Sequence, residues 1–169
     1  MREKAELERL AGRWGREAFV ALDVETTLTD QRLCLVQVGT AEANYLIDPL
    51  AIDDLAGLGA VLESQEVIKV IHNAEFERAV LGEQGFRIEN VYDTMVESQR
   101  RVGKLGGGHS LLAVARRELD RTIDKRSQTS DWTRRPLTAA QEGYAAMDVE
   151  VLVDLYALFA RAAVPGRAE

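Results

Sequence analysis

Cysteine is nearly absent from this sequence. The single thiol, Cys34, lies inside the apolar run LCLVQV, so no internal disulfide can form and the composition fits a reducing compartment. Long hydrophobic runs are missing as well, since no stretch approaches the roughly 18 consecutive apolar residues of a membrane-spanning helix. The amino terminus, MREKAELERLAGRWGRE, is a charged helical pattern without the apolar region of a signal peptide. A soluble, cytoplasmic protein with no membrane partner is expected. No phosphate-binding loop is present: GKLGGGHS, residues 103–110, holds four glycines in eight residues but lacks the Lys-Ser/Thr that would follow, and it reads as a hinge. Positive charge is in deficit, with a net charge of −7, which argues against a uniformly basic surface for nucleic acid.

That average conceals a split. Between Ser98 and Arg135, ten Lys/Arg stand against four Asp/Glu, giving +6 and leaving −13 for the remainder. Such a division suits a protein that holds cations with carboxylates and an anionic polymer with a basic flank, and it suits equally an ordinary helix and loop solvated by arginines. With 169 residues, 46% of them hydrophobic, the chain has the size of one compact domain. No internal repeat or second domain is evident, and residues 1–169 read as one unit with a core over about 19–160 and a helix over 1–16.

Three short apolar runs, FVALDVET (19–26), LCLVQVG (33–39) and NYLID (44–48), predict an antiparallel meander. IDDLAGLGAVLES has helical spacing, VIKVIH (67–72) predicts a strand, and AEFERAVLGEQG predicts a helix ended by Gly85. IENVYDT (88–94) is strand-like and runs into a helix through about Val102. SLLAVARRELD predicts a further helix, and a last helix begins at PLTAAQ, where Thr138 and Gln141 stand in capping-box relation. Strand and helix alternate from residue 53 onward, so the fold class is α/β: a mixed sheet, antiparallel meander plus parallel strands, flanked by helices.

Carboxylates occur where burial should forbid them. In FVALDVET, Phe19, Ala21, Asp23 and Glu25 share one side of the strand, and Val20, Leu22 and Val24 share the other. A strand apolar on both sides is normally interior, which puts two acids together at its carboxyl end; a strand emerging into solvent at Asp23 is the alternative. In the last helix, Asp148 falls in the middle of the stripe formed by Val151, Leu152, Leu155 and Phe159, one turn after Tyr144, while Glu150, Asp154 and Arg161 gather opposite. A plain Tyr-to-Asp hydrogen bond would also account for that pair. On the helix AEFERAV, Glu77 lies inside the apolar arc and Glu75 outside it, so Glu75 is solvated and Glu77 is either snorkelling or aimed at a site. If the sheet unites Asp23, Glu25, Glu77 and Asp148, an all-oxygen cluster results that selects Mg²⁺ or Mn²⁺ over zinc. Two such ions could serve an in-line displacement at phosphorus. Tyr144, as a phenol, is too weak a base at neutral pH and is suited to orienting a water.

These residues resemble the DEDD superfamily of 3′-5′ exonucleases in its tyrosine branch, and look most like the catalytic domain of ribonuclease D and its small bacterial relatives. DVET matches the first motif at Asp23 and Glu25, HNAEFE the second with Glu77 in the acid's place, and YAAMD the third at Tyr144 and Asp148. The histidine branch would need His where Gly143 stands. Outside the motifs, LVQVG, LIDP, VYDT and SDWTRRPLTAAQEGYAAMDV are also similar, so the likeness extends from about Phe19 to Phe159. The resemblance implies an RNase H-like fold, two divalent metals (Mg²⁺ or Mn²⁺), attack on RNA or DNA with a free 3′ end, and nucleoside 5′-monophosphate products. It further implies that Glu25 contacts the terminal 3′ hydroxyl, that Thr26, Thr27, His72 and Asn73 line the terminal nucleotide, and that Leu28 wedges against its base. Lys125, Arg126 and Gln128 are implied phosphate contacts, and Trp132 is read as core. Self-association into a homo-oligomer is left open.

Two departures qualify the match. The second motif normally carries Asp, and Glu77 is one methylene longer. Ribonuclease D proper has further helical nucleic-acid-binding domains after the catalytic one, whereas this chain stops about ten residues beyond Phe159, so attack on short or single-stranded ends is expected. The alternatives are a nucleic-acid-binding or scaffold module whose site Glu77 has weakened, and a phosphoesterase acting on small nucleotides.

Overall fold

The computed structural model describes residues 1–103 and 107–162, the side chains of Lys125 and Ala162 excepted. Helix α1 (Lys4–Trp14) turns Leu7, Leu10, Ala11 and Trp14, an i, i+3, i+4, i+7 set, into the core. Strands β1 (Phe19–Thr26), β2 (Leu33–Gly39) and β3 (Asn44–Ile47) form the expected meander. Strand β4 (Ile68–Ile71) pairs parallel with β1, and β5 (Val91–Asp93) parallel with β4, so the sheet runs β3-β2-β1-β4-β5.

The remaining described elements are α2 (Gly59–Leu62), α3 (Ala74–Glu83), α4 (Thr94–Val102), α5 (Leu111–Leu119) and α6 (Ala139–Ala162), with 3-10 turns at Ala56–Leu58 and Lys125–Ser127. The helix expected over IDDLAGLGAVLES contracts to a 3-10 turn and one α turn, a segment in which Gly57 and Gly59 weaken the helical backbone. The strand expected over 88–94 contracts as well, because Asn90 adopts a positive φ of 50° and Thr94 already begins α4. Among the described residues, no helix is long and apolar enough to cross a membrane.

The two faces of the sheet differ. Val20, Leu22 and Val24 of β1 join Trp14, Val36, Val38, Ile71 and Leu81 in the largest apolar cluster, beneath α1 and α3. Each such side chain contributes about 1.5–3 kcal/mol on full burial. On the other face, Ala21 and Val70 pack against Val149 and Leu152 of α6. Close approach there requires Gly39: a Cβ at that position would lie 3.0 Å from Val149 Cβ and 3.1 Å from its carbonyl oxygen. The start of α6 is fixed by the capping box, in which Gln141 N donates to Thr138 Oγ1 (3.2 Å) and Thr138 N donates to Gln141 Oε1 (3.0 Å).

Candidate active site

Alternation along β1 sends Asp23 and Glu25 to the face covered by α6, and the helical period of α6 sends Asp148 back toward them. One carboxylate oxygen from each of Asp23, Glu25 and Asp148 lies within 4.8 Å of the others. Glu77, only 3% exposed on α3, stands outside that trio. Its carboxyl feels the charge of Asp23, and Oε2 has no partner among the described residues. Glu75 is exposed, as the helical wheel requires.

Burial and mutual repulsion dominate the electrostatics. Enclosure by the protein pushes Asp23 up to about 6. Glu25 is pushed up to about 10, first by burial and then by the charges of Asp23 and Asp148. Glu77 is pushed up to about 9, again by burial and then by Asp23. Among the described residues, no Lys or Arg forms an ion pair with Asp23, Glu25 or Glu77. A set of hard oxygen donors whose repulsion no protein cation relieves fits a divalent metal ion. Tyr144 is held well above the ordinary phenol range by burial and by the charges of Asp148 and Glu25, and its side chain is hydrogen-bonded to Asp148. It therefore stays protonated and serves as a donor.

Three supports for this geometry escaped the sequence reading. Asp93 accepts hydrogen bonds from Asn73 N (3.1 Å) and Ala74 N (2.9 Å) at the start of α3, and from Met95 N (2.8 Å) and Val96 N (3.3 Å) at the start of α4. One carboxylate thus caps two helices, including the one that carries Glu77. A bulge in β2 leaves Cys34 without a partner between Leu35, opposite Glu25, and Leu33, opposite Thr26. Bulges bend a strand and redirect its side chains. The Cys34 carbonyl there accepts from Arg135 Nη2 (2.7 Å), and the same guanidinium holds the buried Asp48 in two 2.7 Å hydrogen bonds. For Asp48, burial alone would raise the carboxyl, but Arg135's hydrogen bonds and charge outweigh it and hold the group below its ordinary range.

An open cleft of about 650 Å³ joins Asp23, Glu25 and Asp148, but not Glu77, to most of the predicted substrate residues. Thr26, Leu28, His72, Asn73 and Gln128 line it together with Tyr144 and Asp148, and Leu28 stands at the rim 71% exposed. His72 lines the cleft with both ring nitrogens engaged by protein. Nε2 lies 2.8 Å from the His109 carbonyl, which can only accept, so Nε2 carries the proton. Nδ1 lies 2.9 Å from Thr94 Oγ1, and burial lowers the imidazole below its usual range, favouring the neutral ring.

Thr27 is not among the cleft-lining residues. Its hydroxyl bonds Asp30 and accepts from Arg32 N (2.9 Å) in the β1–β2 turn, away from the cleft lining, because the tight turn needs a local hydrogen-bonding partner. Arg126 is also displaced from expectation: it forks onto Asp124 and lines a neighbouring cleft of about 630 Å³. The side chain of Lys125, and residues 104–106 of the predicted hinge, lie outside the described residues. Trp132 is core, packed with Leu35 and Ala145. The basic flank is largely neutralised. Arg100 and Arg101 pair with Glu97, Arg117 with Glu118, Arg121 with Glu150 and Asp154, Arg126 with Asp124, and Arg135 with Asp48. Several of these acids lie outside residues 98–135, where a count along the sequence could not see them.

Comparison with known proteins bears on the family and the fold. A family model described as 3′-5′ exonuclease matches residues 1–162. Ribonuclease D of Pseudomonas paraeruginosa is 34% identical over 175 residues, covering 99% of this chain and 46% of that protein. The chain thus spans less than half the length of this curated relative. Among solved structures, Escherichia coli RNase D is similar with a TM-score of 0.84 and 28% identity over 95% of this chain and 44% of that one. Brucella melitensis NrnC bound to pGG is similar with a TM-score of 0.75 and 28% identity over 86% and 73%. The fold is accordingly the expected RNase H-like mixed sheet, and the chain belongs to the 3′-5′ exonuclease family and resembles ribonuclease D.

Proposed function

We propose that this chain is a divalent-metal-dependent 3′-5′ exonuclease that removes nucleoside 5′-monophosphates from the 3′ end of single-stranded or short nucleic acid. The observation that carries this reading is the convergence of Asp23, Glu25 and Asp148 beside Tyr144 at the floor of one open cleft. Asp23, Glu25 and Asp148, with Glu77 from α3, would hold two cations, Mg²⁺ or Mn²⁺. Cations bound there supply Lewis-acid activation of water and offset charge on the phosphoryl oxygens. Tyr144, kept as a phenol by its surroundings, donates a hydrogen bond that orients the attacking water. The water oxygen joins phosphorus, the bond to the 3′ oxygen of the preceding nucleotide breaks, and that oxygen takes up a proton. Leu28 at the rim wedges against the terminal base, and Thr26, Asn73 and Gln128 contact the terminal nucleotide. His72, with its nitrogens engaged, acts as a wall of the cleft and not as a hydrogen-bonding contact. The pGG bound by the similar NrnC supports short oligonucleotides as substrates.

Digestion of labelled RNA and DNA from dinucleotide to 20-mer with Mg²⁺ or Mn²⁺ tests the proposal. Product must be nucleoside 5′-monophosphate, and Asp23→Ala must abolish it; a metal-replete protein that cuts neither polymer at any length overturns it. A second reading, a binding or scaffold module, draws on Glu77 lying outside the carboxylate trio, and it predicts oligonucleotide binding without cleavage under either metal.

A further inference from the structure

Gln37 is fully buried in β2, a strand buried along its whole length, and neither its amide oxygen nor its amide nitrogen has a hydrogen-bond partner among the described residues. An orphaned buried amide is destabilising, so an apolar side chain of similar shape would be the more stable occupant if packing were its only task. Its neighbours point elsewhere. The sheet register sets Gln37 directly opposite Asp23 on one side and Leu46 on the other. Residues opposite one another in an antiparallel pair share a face, with Cβ atoms about 4.5–5.5 Å apart. Gln37 and Asp23 therefore stand side by side beneath α6, one pleat from Gly39, where β2 and the helix carrying Asp148 meet most closely.

A carboxylate that ligates a cation through one oxygen needs a hydrogen-bond donor to orient it from outside. Beside Asp23, a lysine or arginine would supply that donor but would compete with the cation; an amide supplies it without charge. We propose that Gln37 is a positioning residue for the carboxylate cluster, its Nε2–H donating to Asp23 when a divalent cation occupies the site and thereby fixing the direction in which Asp23 presents its ligating oxygen. The inference rests on the metal dependence proposed above.

Calorimetric titration of the full chain with Mn²⁺ tests it, with metal-free melting measured alongside. Gln37→Met keeps the length of the side chain and removes both amide atoms. The expected result is Mn²⁺ binding weakened about tenfold or more, with a metal-free melting temperature equal to or above that of the wild type. Equal Mn²⁺ affinity in wild type and variant, or a lowered melting temperature with unchanged affinity, overturns the positioning role and leaves the exonuclease reading intact. A wild-type chain that binds no Mn²⁺ removes the metal dependence itself and this role with it. Should Gln37→Met fail to fold, the side-chain NH₂ resonances of Gln37 in the wild-type ¹H–¹⁵N spectrum decide: they shift and exchange more slowly on adding Mg²⁺ if the proposal holds, and stay unmoved if it is wrong.

Discussion

The buried acids of the candidate site and the arginines of residues 98–135 are treated in opposite ways by the same fold. Asp23, Glu25 and Glu77 are enclosed with no cationic side chain in ion-pair contact among the described residues, and burial pushes every one of them above its ordinary range. Most of the arginines, although more exposed, each meet an acid; among the described residues of that segment, only Arg116 and Arg134 stand outside any ion pair. Charge that folding has matched holds loops and helices in place. Charge that folding has left unmatched is available to a ligand.

Breaking the unmatched set should have the largest effect. Asp148→Asn is expected to lower oligonucleotide digestion about 10²–10³-fold, measured as initial rates, while the metal-free melting temperature holds or rises because a buried repulsion is eased. Breaking the matched set acts on stability instead. Arg135→Ala leaves the buried Asp48 with only the exposed Arg2 as an ion partner at 3.3 Å, and urea unfolding should show a loss of about 2–3 kcal/mol. Glu77 sharpens the contrast within one helix: Glu77→Gln should remove most activity, about tenfold, and Glu77→Asp should keep or raise it with Mg²⁺. Equal losses at Glu77→Gln and Glu75→Gln would show that the two faces of α3 do not differ in function.

The raised carboxyls also predict a pH dependence. Between about 4.5 and 9 to 10 the folded protein binds more protons at Glu25 and Glu77 than the unfolded chain does. Stability of the metal-free protein should therefore be highest near pH 5 and fall as pH rises through that window. Melting curves in chelator at pH 5 and pH 9 measure this fall, and Glu25→Gln should flatten it. Divalent metal should restore more stability at pH 9 than at pH 5, since its ligands must lose their protons to bind. The smallest effect belongs to the matched, exposed Arg126: Arg126→Ala should change digestion of a 20-mer by no more than about twofold.

What the sequence made legible was local in origin. Period 2 put Asp23 and Glu25 on one face of β1, period 3.6 placed Asp148 in the buried stripe and separated Glu77 from Glu75, and the Thr138/Gln141 box marked the start of α6. Partners far apart in the chain were not legible. Arg135 and Asp48 are 87 residues apart, and Asp93 reaches back about 20 residues to cap α3. Neither pairing leaves a trace in any window of the sequence, and both arginine and aspartate are common on surfaces. The Thr27 hydroxyl's bonds to Asp30 and Arg32 N in the turn between β1 and β2 were not legible either, because a motif position says nothing of the turn that follows it.

Gly39 has a consequence of dimension. Bare backbone at that point sets the thickness of the layer between sheet and helix, and Val149, the residue it touches, directly follows Asp148. Any atom added at position 39 would lift the helix and carry its carboxylate away from the two on β1, widening the aperture that a cation must span. The tolerance of a site assembled from a strand and a helix is the gap between them, and here the smallest amino acid is its gauge.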